Sequence, residues 1–108
     1  MKNVTDLLNL KGKVAIVTGS ATGIGQAIAV GLAEAGVDIA GTYSHTSFEE
    51  TKALVEKAGQ KFFGIHADVS KPEDVGTIIP AALKEYGKID IGVCMEVNLF
   101  SFFCKIFT

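Results

Sequence analysis

Residues 14–25 read Val14-Ala15-Ile16-Val17-Thr18-Gly19-Ser20-Ala21-Thr22-Gly23-Ile24-Gly25, and the fold turns on how this stretch is parsed. Val14 to Val17 is a short apolar, β-rich run bounded by Gly12 and Gly19, the pattern of a strand buried on both faces. Glycines follow at 19, 23 and 25, and then IGQAIAVGLAEA over 24–35, almost wholly apolar apart from Gln26 and Glu34. That composition predicts a largely buried helix, stopped by Gly36. Each glycine has its own task. Gly19 lets the chain turn sharply off the strand, Gly23 lets backbone approach a diphosphate, and Gly25 lets the helix pack close to the sheet. The N–H groups of such a helix start form an anion site. A plain strand-to-helix turn would carry the same glycines, but the flanking strand and helix and the further βα units favour a nucleotide site.

Outward from this stretch the chain alternates. Asp38 to Tyr43 predicts a second strand, weakened by Gly41. Ser47 and Glu50 have the spacing of a capping box, opening a helix to about Ala58 with Phe48, Thr51, Leu54, Val55 and Ala58 on one face. Lys61 to Ala67 predicts a third strand. A second capping signal, Ser70 with Glu73 and with Pro72 in the first turn, opens the best-patterned helix. Its apolar stripe is Val75, Ile78, Ile79, Ala82, Leu83 and Tyr86. Pro80 is expected to bend it, Gly87 to end it, and Ile89 to Val93 to form a fourth strand. The order β-α-β-α-β-α-β with short connections predicts a doubly wound α/β fold. Its parallel sheet has the order 3-2-1-4, with the crevice at the C-terminal ends of strands one and four.

Composition narrows the function. At 108 residues there is room for one small domain, and 48% hydrophobic with 20% charged residues argues against disorder. The ten cationic side chains are all lysines, spread from Lys2 to Lys105 at a net charge of −2, so nucleic acid is not an expected partner. Cys94 and Cys104 lack partners at metal-ligand spacing, which disfavours a disulfide scaffold or a metal site and suits a reducing, cytoplasmic setting. No apolar run approaches a membrane span, and residues 1–13 lack the apolar stretch of a signal peptide. His45 and His66 read as a loop residue and a strand-end residue. Glu49, Glu50, Glu56 and Lys57 read as a solvated helix face.

The spacing Thr18-Gly19-x-x-x-Gly23-x-Gly25 departs from the ordinary G-x-G-x-x-G fingerprint and resembles the short-chain dehydrogenase/reductase family, over about residues 8–93. Leu10 to Gly19 resembles the family's opening strand, His66-Ala67-Asp68-Val69-Ser70 its strand-end Asp-Val, and Gly87 to Ile91 the entry to its fourth strand. The resemblance implies the first half of a Rossmann arrangement in which Gly19, Ser20, Thr22, Gly23, Ile24 and Gly25 hold a pyrophosphate. It also implies that the Asp68 side chain and the Val69 backbone hold adenine. A solvated, capped turn is the alternative for Asp68, but Ser70 is expected to supply the cap, which favours the adenine contact. The NAD or NADP choice falls near Tyr43-Ser44-His45, where neither an acidic nor a basic residue stands. With no arginine and the nearest lysine at Lys52, NAD is favoured over NADP. Asp6 to Gly41 is also similar to sugar-acid dehydrogenases of the deoxygluconate and gluconate type.

Past Ile91 the resemblance falters. The family's Asn-Asn-Ala-Gly is replaced by Gly92-Val93-Cys94-Met95-Glu96, after which Val97 to Phe103 resembles a later Val-Asn-Leu-x-Ser-x-Phe helix. Asn98 would then be a remnant of the catalytic tetrad. An internal deletion and a frame-shifted end both account for this, the deletion better. The family's catalytic serine and Tyr-x-x-x-Lys pair have no counterpart: Tyr43 is followed four residues on by Ser47, and Tyr86 by Asp90. The chain therefore divides into an incomplete NAD(P)-binding domain, 1–93, and a divergent apolar tail, 94–108. The expected function is the cofactor-binding part of a truncated alcohol–carbonyl oxidoreductase, inactive alone. A non-catalytic nucleotide-binding module and a non-functional gene fragment are the alternatives. Leu99, Phe100, Phe102, Phe103, Ile106 and Phe107 make self-association the other expectation.

Overall fold

The computed structural model describes residues 10–21, 23–68 and 71–93. Their elements are β1 (Val14–Val17), α1 (Gly23–Glu34), β2 (Asp38–Tyr43), α2 (Glu49–Lys57), β3 (Phe62–His66), α3 (Pro72–Tyr86) and β4 (Ile91–Val93). The four strands pair in parallel in the order β3-β2-β1-β4. This is the predicted topology. From β1 the chain steps outward through β2 to β3, then returns across the sheet to β4. The crevice between the diverging connections therefore lies beyond the C-terminal ends of β1 and β4.

Two apolar layers flank the sheet because side chains alternate along each strand. Ala15, Val17, Ile39 and Phe62 pack with Ala29 and Ala33 of α1 and Val55 of α2. Ile16, Ala40 and Ile65 pack with Val75, Ile78, Ile79 and Ala82 of α3. Fully burying a side chain such as Ile16, Ile39 or Ile78 contributes about 1.5–3 kcal/mol. Asp90 secures the entry to β1: its Oδ2 accepts from the Val14 N–H at 2.9 Å and from Lys88 Nζ at 3.3 Å, and the Val14 bond holds its carboxyl below the ordinary value. Tyr86 donates to the Ile39 carbonyl at 2.9 Å; burial, with the Asp38 and Glu85 carboxylates, pushes its phenol up.

Local details depart from expectation. The buried strip of α1 is only Gly25, Ala29 and Ala33, one residue per turn, and Ile24 is 69% exposed. The helix lies on the sheet by its smallest side chains, so the backbones approach closely and the opposite side meets solvent. At α2 the capping residue is Phe48, with no side-chain cap; the Ser47 hydroxyl accepts from the Glu49 N–H at 3.2 Å, and no pairing with Glu50 is seen. At α3 the cap is Lys71, with Pro72 at the first helical position, where its missing N–H costs nothing; Ser70 lies outside the described residues. The helix is continuous through Pro80, and Leu83, assigned to the buried stripe, is 43% exposed. Gly87 ends it in the left-handed region, φ 78°.

Candidate functional site

The site is built where β1 ends. Thr18 N–H donates to the Val93 carbonyl at 3.0 Å, carrying the β1–β4 pairing one residue past the strand. Gly19 then turns the chain at φ 64°, a conformation open to glycine at no steric cost. Its N–H donates to Thr42 Oγ1 at 3.0 Å, and the Ser20 N–H to the Thr42 carbonyl at 3.2 Å. The first two donors of the loop are thus spent on β2. Donors left for a ligand lie further along and include those of Gly23, Ile24 and Gly25, the first turn of α1, whose N–H groups have no partner within the helix.

The other two glycines shape the turn and the helix start. Gly23 has φ 62° and open space where a side chain would stand, so a ligand can approach its backbone. At Gly25 a Cβ would collide with the Gly19 carbonyl oxygen, which is what sets helix against turn. Electrostatics single out the same helix. The first turns of α2 and α3 carry Glu49 with Glu50 and Glu73 with Asp74, whereas the first turn of α1 has no acidic side chain. Its positive end is therefore left for an exogenous anion.

Beside the loop lies a cleft of about 180 Å³, lined by Gly19, Ala21, Thr42, Tyr43, Ser44, His45 and Thr46. It is smaller than the ~300–1,000 Å³ of a complete ligand pocket, so it suits one portion of an extended molecule. The Tyr43 ring is fixed at its edge, 4.7 Å from Phe48 and 5.2 Å from His66 between ring centres. Asp68 follows β3 two residues past His66, the partner of Tyr43, so both stand at the C-terminal edge of the sheet. Its N–H donates to Asp74 Oδ2 at 2.9 Å and its carbonyl accepts from the Lys71 N–H at 2.9 Å, which fixes the backbone there. Thr22, Val69 and Asn98 lie outside the described residues. The glycine loop, its helix start and the Tyr43 cleft are contiguous, and the donor set and the Cβ-free approach at Gly23 fit a diphosphate carrying a sugar.

Sequence reading missed three residues here. Thr42 takes up the loop's first donors, while Thr51 and Gln26 contact its carbonyls. Thr51 left one signal: a hydroxyl on an apolar helix face needs a partner. Gly41, read as a weak point of β2, makes room instead, since a Cβ there would meet Ser20 Oγ and, at 2.6 Å, the Phe62 ring.

Comparison with known proteins agrees with this geometry. A family model described as short chain dehydrogenase matches residues 13–104. The 2-dehydro-3-deoxy-D-gluconate 5-dehydrogenase of Bacillus subtilis is 50% identical over 86 residues, spanning 80% of this chain and 34% of that protein. The short-chain dehydrogenase/reductase homolog YusS, also from Bacillus subtilis, is 43% identical over 86 residues, spanning 78% of this chain and 79% of that one. Carveol dehydrogenase from Mycobacterium avium, solved in complex with NAD, superposes with a TM-score of 0.73 at 28% identity over 82% of this chain and 36% of that one. The chain thus spans about a third of the gluconate-type enzyme and most of the shorter homologue. Strand order, glycine spacing and these matches agree: the chain belongs to the short-chain dehydrogenase/reductase family.

Proposed function

We propose that this chain is the dinucleotide-binding portion of an NAD(P)-dependent alcohol–carbonyl oxidoreductase and does not turn over substrate by itself. The observation that carries the reading is the crevice at the strand switch, with glycines at 19, 23 and 25 and a helix start free of acidic side chains. In it, the N–H groups of Gly23, Ile24 and Gly25 bind the pyrophosphate, with Ser20 and Thr22 in the same loop. The cleft at Tyr43 takes the adenosine ribose, and Asp68 and Val69 hold the adenine. A bound nicotinamide dinucleotide supplies the hydride acceptor or donor.

The chain's own residues bind and orient that cofactor. The sequence contains no Tyr-x-x-x-Lys, and general acid–base catalysis is worth about 10²–10⁴-fold. Ser44 and His45 at the ribose end carry neither the acid that selects NAD nor an arginine for a 2′-phosphate, which favours NAD modestly. A sugar-acid substrate for a complete oxidoreductase of this type is supported by the gluconate-type relative, and a cytoplasmic setting by the spacing of the two cysteines in the sequence, which matches neither a disulfide scaffold nor a metal site. The test is thermal shift and fluorescence titration with NADH and NADPH, beside turnover assays with sugar-acid and simple alcohol substrates. NADH should stabilise the chain, Gly19→Val should abolish that stabilisation, and turnover should be absent. Stabilisation unchanged in Gly19→Val overturns the site, and steady turnover after removal of host reductases overturns the inactivity.

A further inference from the structure

The glycine loop is held from outside. The Thr51 hydroxyl, fully buried on α2 and 31 positions from Ser20, donates to the Ser20 carbonyl at 2.7 Å, with the Ala21 carbonyl 3.3 Å away. It also accepts from Gln26 Nε2 at 3.0 Å, and that amide lies 3.4 Å from the Ala21 carbonyl. Burying a hydroxyl is costly unless it is bonded, and here both its donor and its acceptor capacity are used, on the turn that precedes α1.

We propose that Thr51 and Gln26 are positioning residues for dinucleotide binding, which lock the peptide between Ser20 and Ala21 in one orientation. In a trans peptide the C=O and N–H point in opposite directions, so anchoring the Ser20 carbonyl on Thr51 fixes the direction of the Ala21 N–H. Ala21 lines the cleft beside the loop, and a flipped peptide would exchange a donor for an acceptor on that side. Thr42 holds Gly19 and Ser20 from β2 while Thr51 and Gln26 hold Ser20 and Ala21 from the helices, so the turn is fixed between two elements. The proposal rests on reading the loop as a phosphate cradle.

The test compares Thr51→Val, which keeps the shape and removes the hydroxyl, with Thr51→Ser, which restores it, and with Gln26→Met. Amide hydrogen exchange at residues 19–25 reads the loop directly, with α3 as internal reference, and NADH titration reads binding. Thr51→Val should raise loop exchange and weaken NADH by about tenfold while α3 exchange stays unchanged, and Thr51→Ser should restore both. Gln26→Met should shift both in the same direction, and it decides the matter if Thr51→Val fails to fold. Loop exchange and NADH affinity that stay at wild-type values overturn the proposal. So does exchange that rises uniformly over the chain in step with a lower urea midpoint, since that is general destabilisation. If the wild-type chain does not bind NADH, the cofactor reading falls, and the exchange arm still decides whether Thr51 holds the loop.

Discussion

A hydrogen in place of a methyl group decides whether α1 can sit where it does. A Cβ on Gly25 would run into the Gly19 carbonyl, so Gly25→Ala must push the helix off the turn or tilt the carbonyl out of place. Overpacking of this kind costs about 1–3 kcal/mol. Gly31, further along the same helix, is exposed, with nothing within 4 Å of the point where a methyl group would stand, so Gly31→Ala should stabilise by about 0.5–1 kcal/mol through helix propensity. Urea midpoints of the two variants should therefore move in opposite directions; a shared direction would show that the close approach at Gly25 does not limit the packing. At this scale the sequence was legible wherever a residue acts through its own backbone, as at Gly19, Gly23 and Gly25. It was illegible at Gly41 and Thr51, whose parts depend on neighbours brought in from other elements: Ser20 and Phe62 for the first, the loop carbonyls and Gln26 for the second.

Elements follow their periodicity closely, with the errors at the margins of each stripe. In α3, Val75, Ile78, Ile79 and Ala82 are buried as the spacing implies, whereas Leu83 stands roughly 80–90° around the helix from their mean at ~100° per residue. A spacing rule admits both; only the width of the sheet face beneath separates them. Ile78→Ala should cost about 2–5 kcal/mol, since it opens a hole against Ile16 and Ile65, and Leu83→Ala should cost well under half as much. Chemical denaturation of both checks this, and equal losses would mean that Leu83 is covered in solution. The helix starts were less legible than the faces. Ser47 and Ser70 look like caps by spacing, yet the helices begin after Phe48 and Lys71, because Pro72 fixes the start of α3 by its own φ and Ser47 reaches only the Glu49 N–H.

For the whole molecule, the sheet leaves β3 and β4 as its outer strands among the described residues, and β4 is three residues long. An open outer strand is a template for edge-to-edge pairing, and the apolar residues that the sequence carries after β4 add to that hazard. Leu99, Phe100, Phe102, Phe103, Ile106 and Phe107 place six large apolar side chains within nine residues, and these lie outside the described residues. On a helix, at ~100° per residue, they would share one face about 160° wide, and contiguous apolar surface of that kind drives association. Burying such side chains is worth about 1.5–3 kcal/mol each, so even partial mutual coverage between two copies offsets much of the cost of association. The full chain should therefore sediment as a dimer or larger species at tens of micromolar, and a chain ending at residue 96 should move toward the monomer and be more soluble. NADH titration of the shortened chain should give the same affinity as the full chain, since every loop and cleft residue precedes residue 94. A full chain that sediments as a monomer would mean that those side chains find complete burial against their own domain.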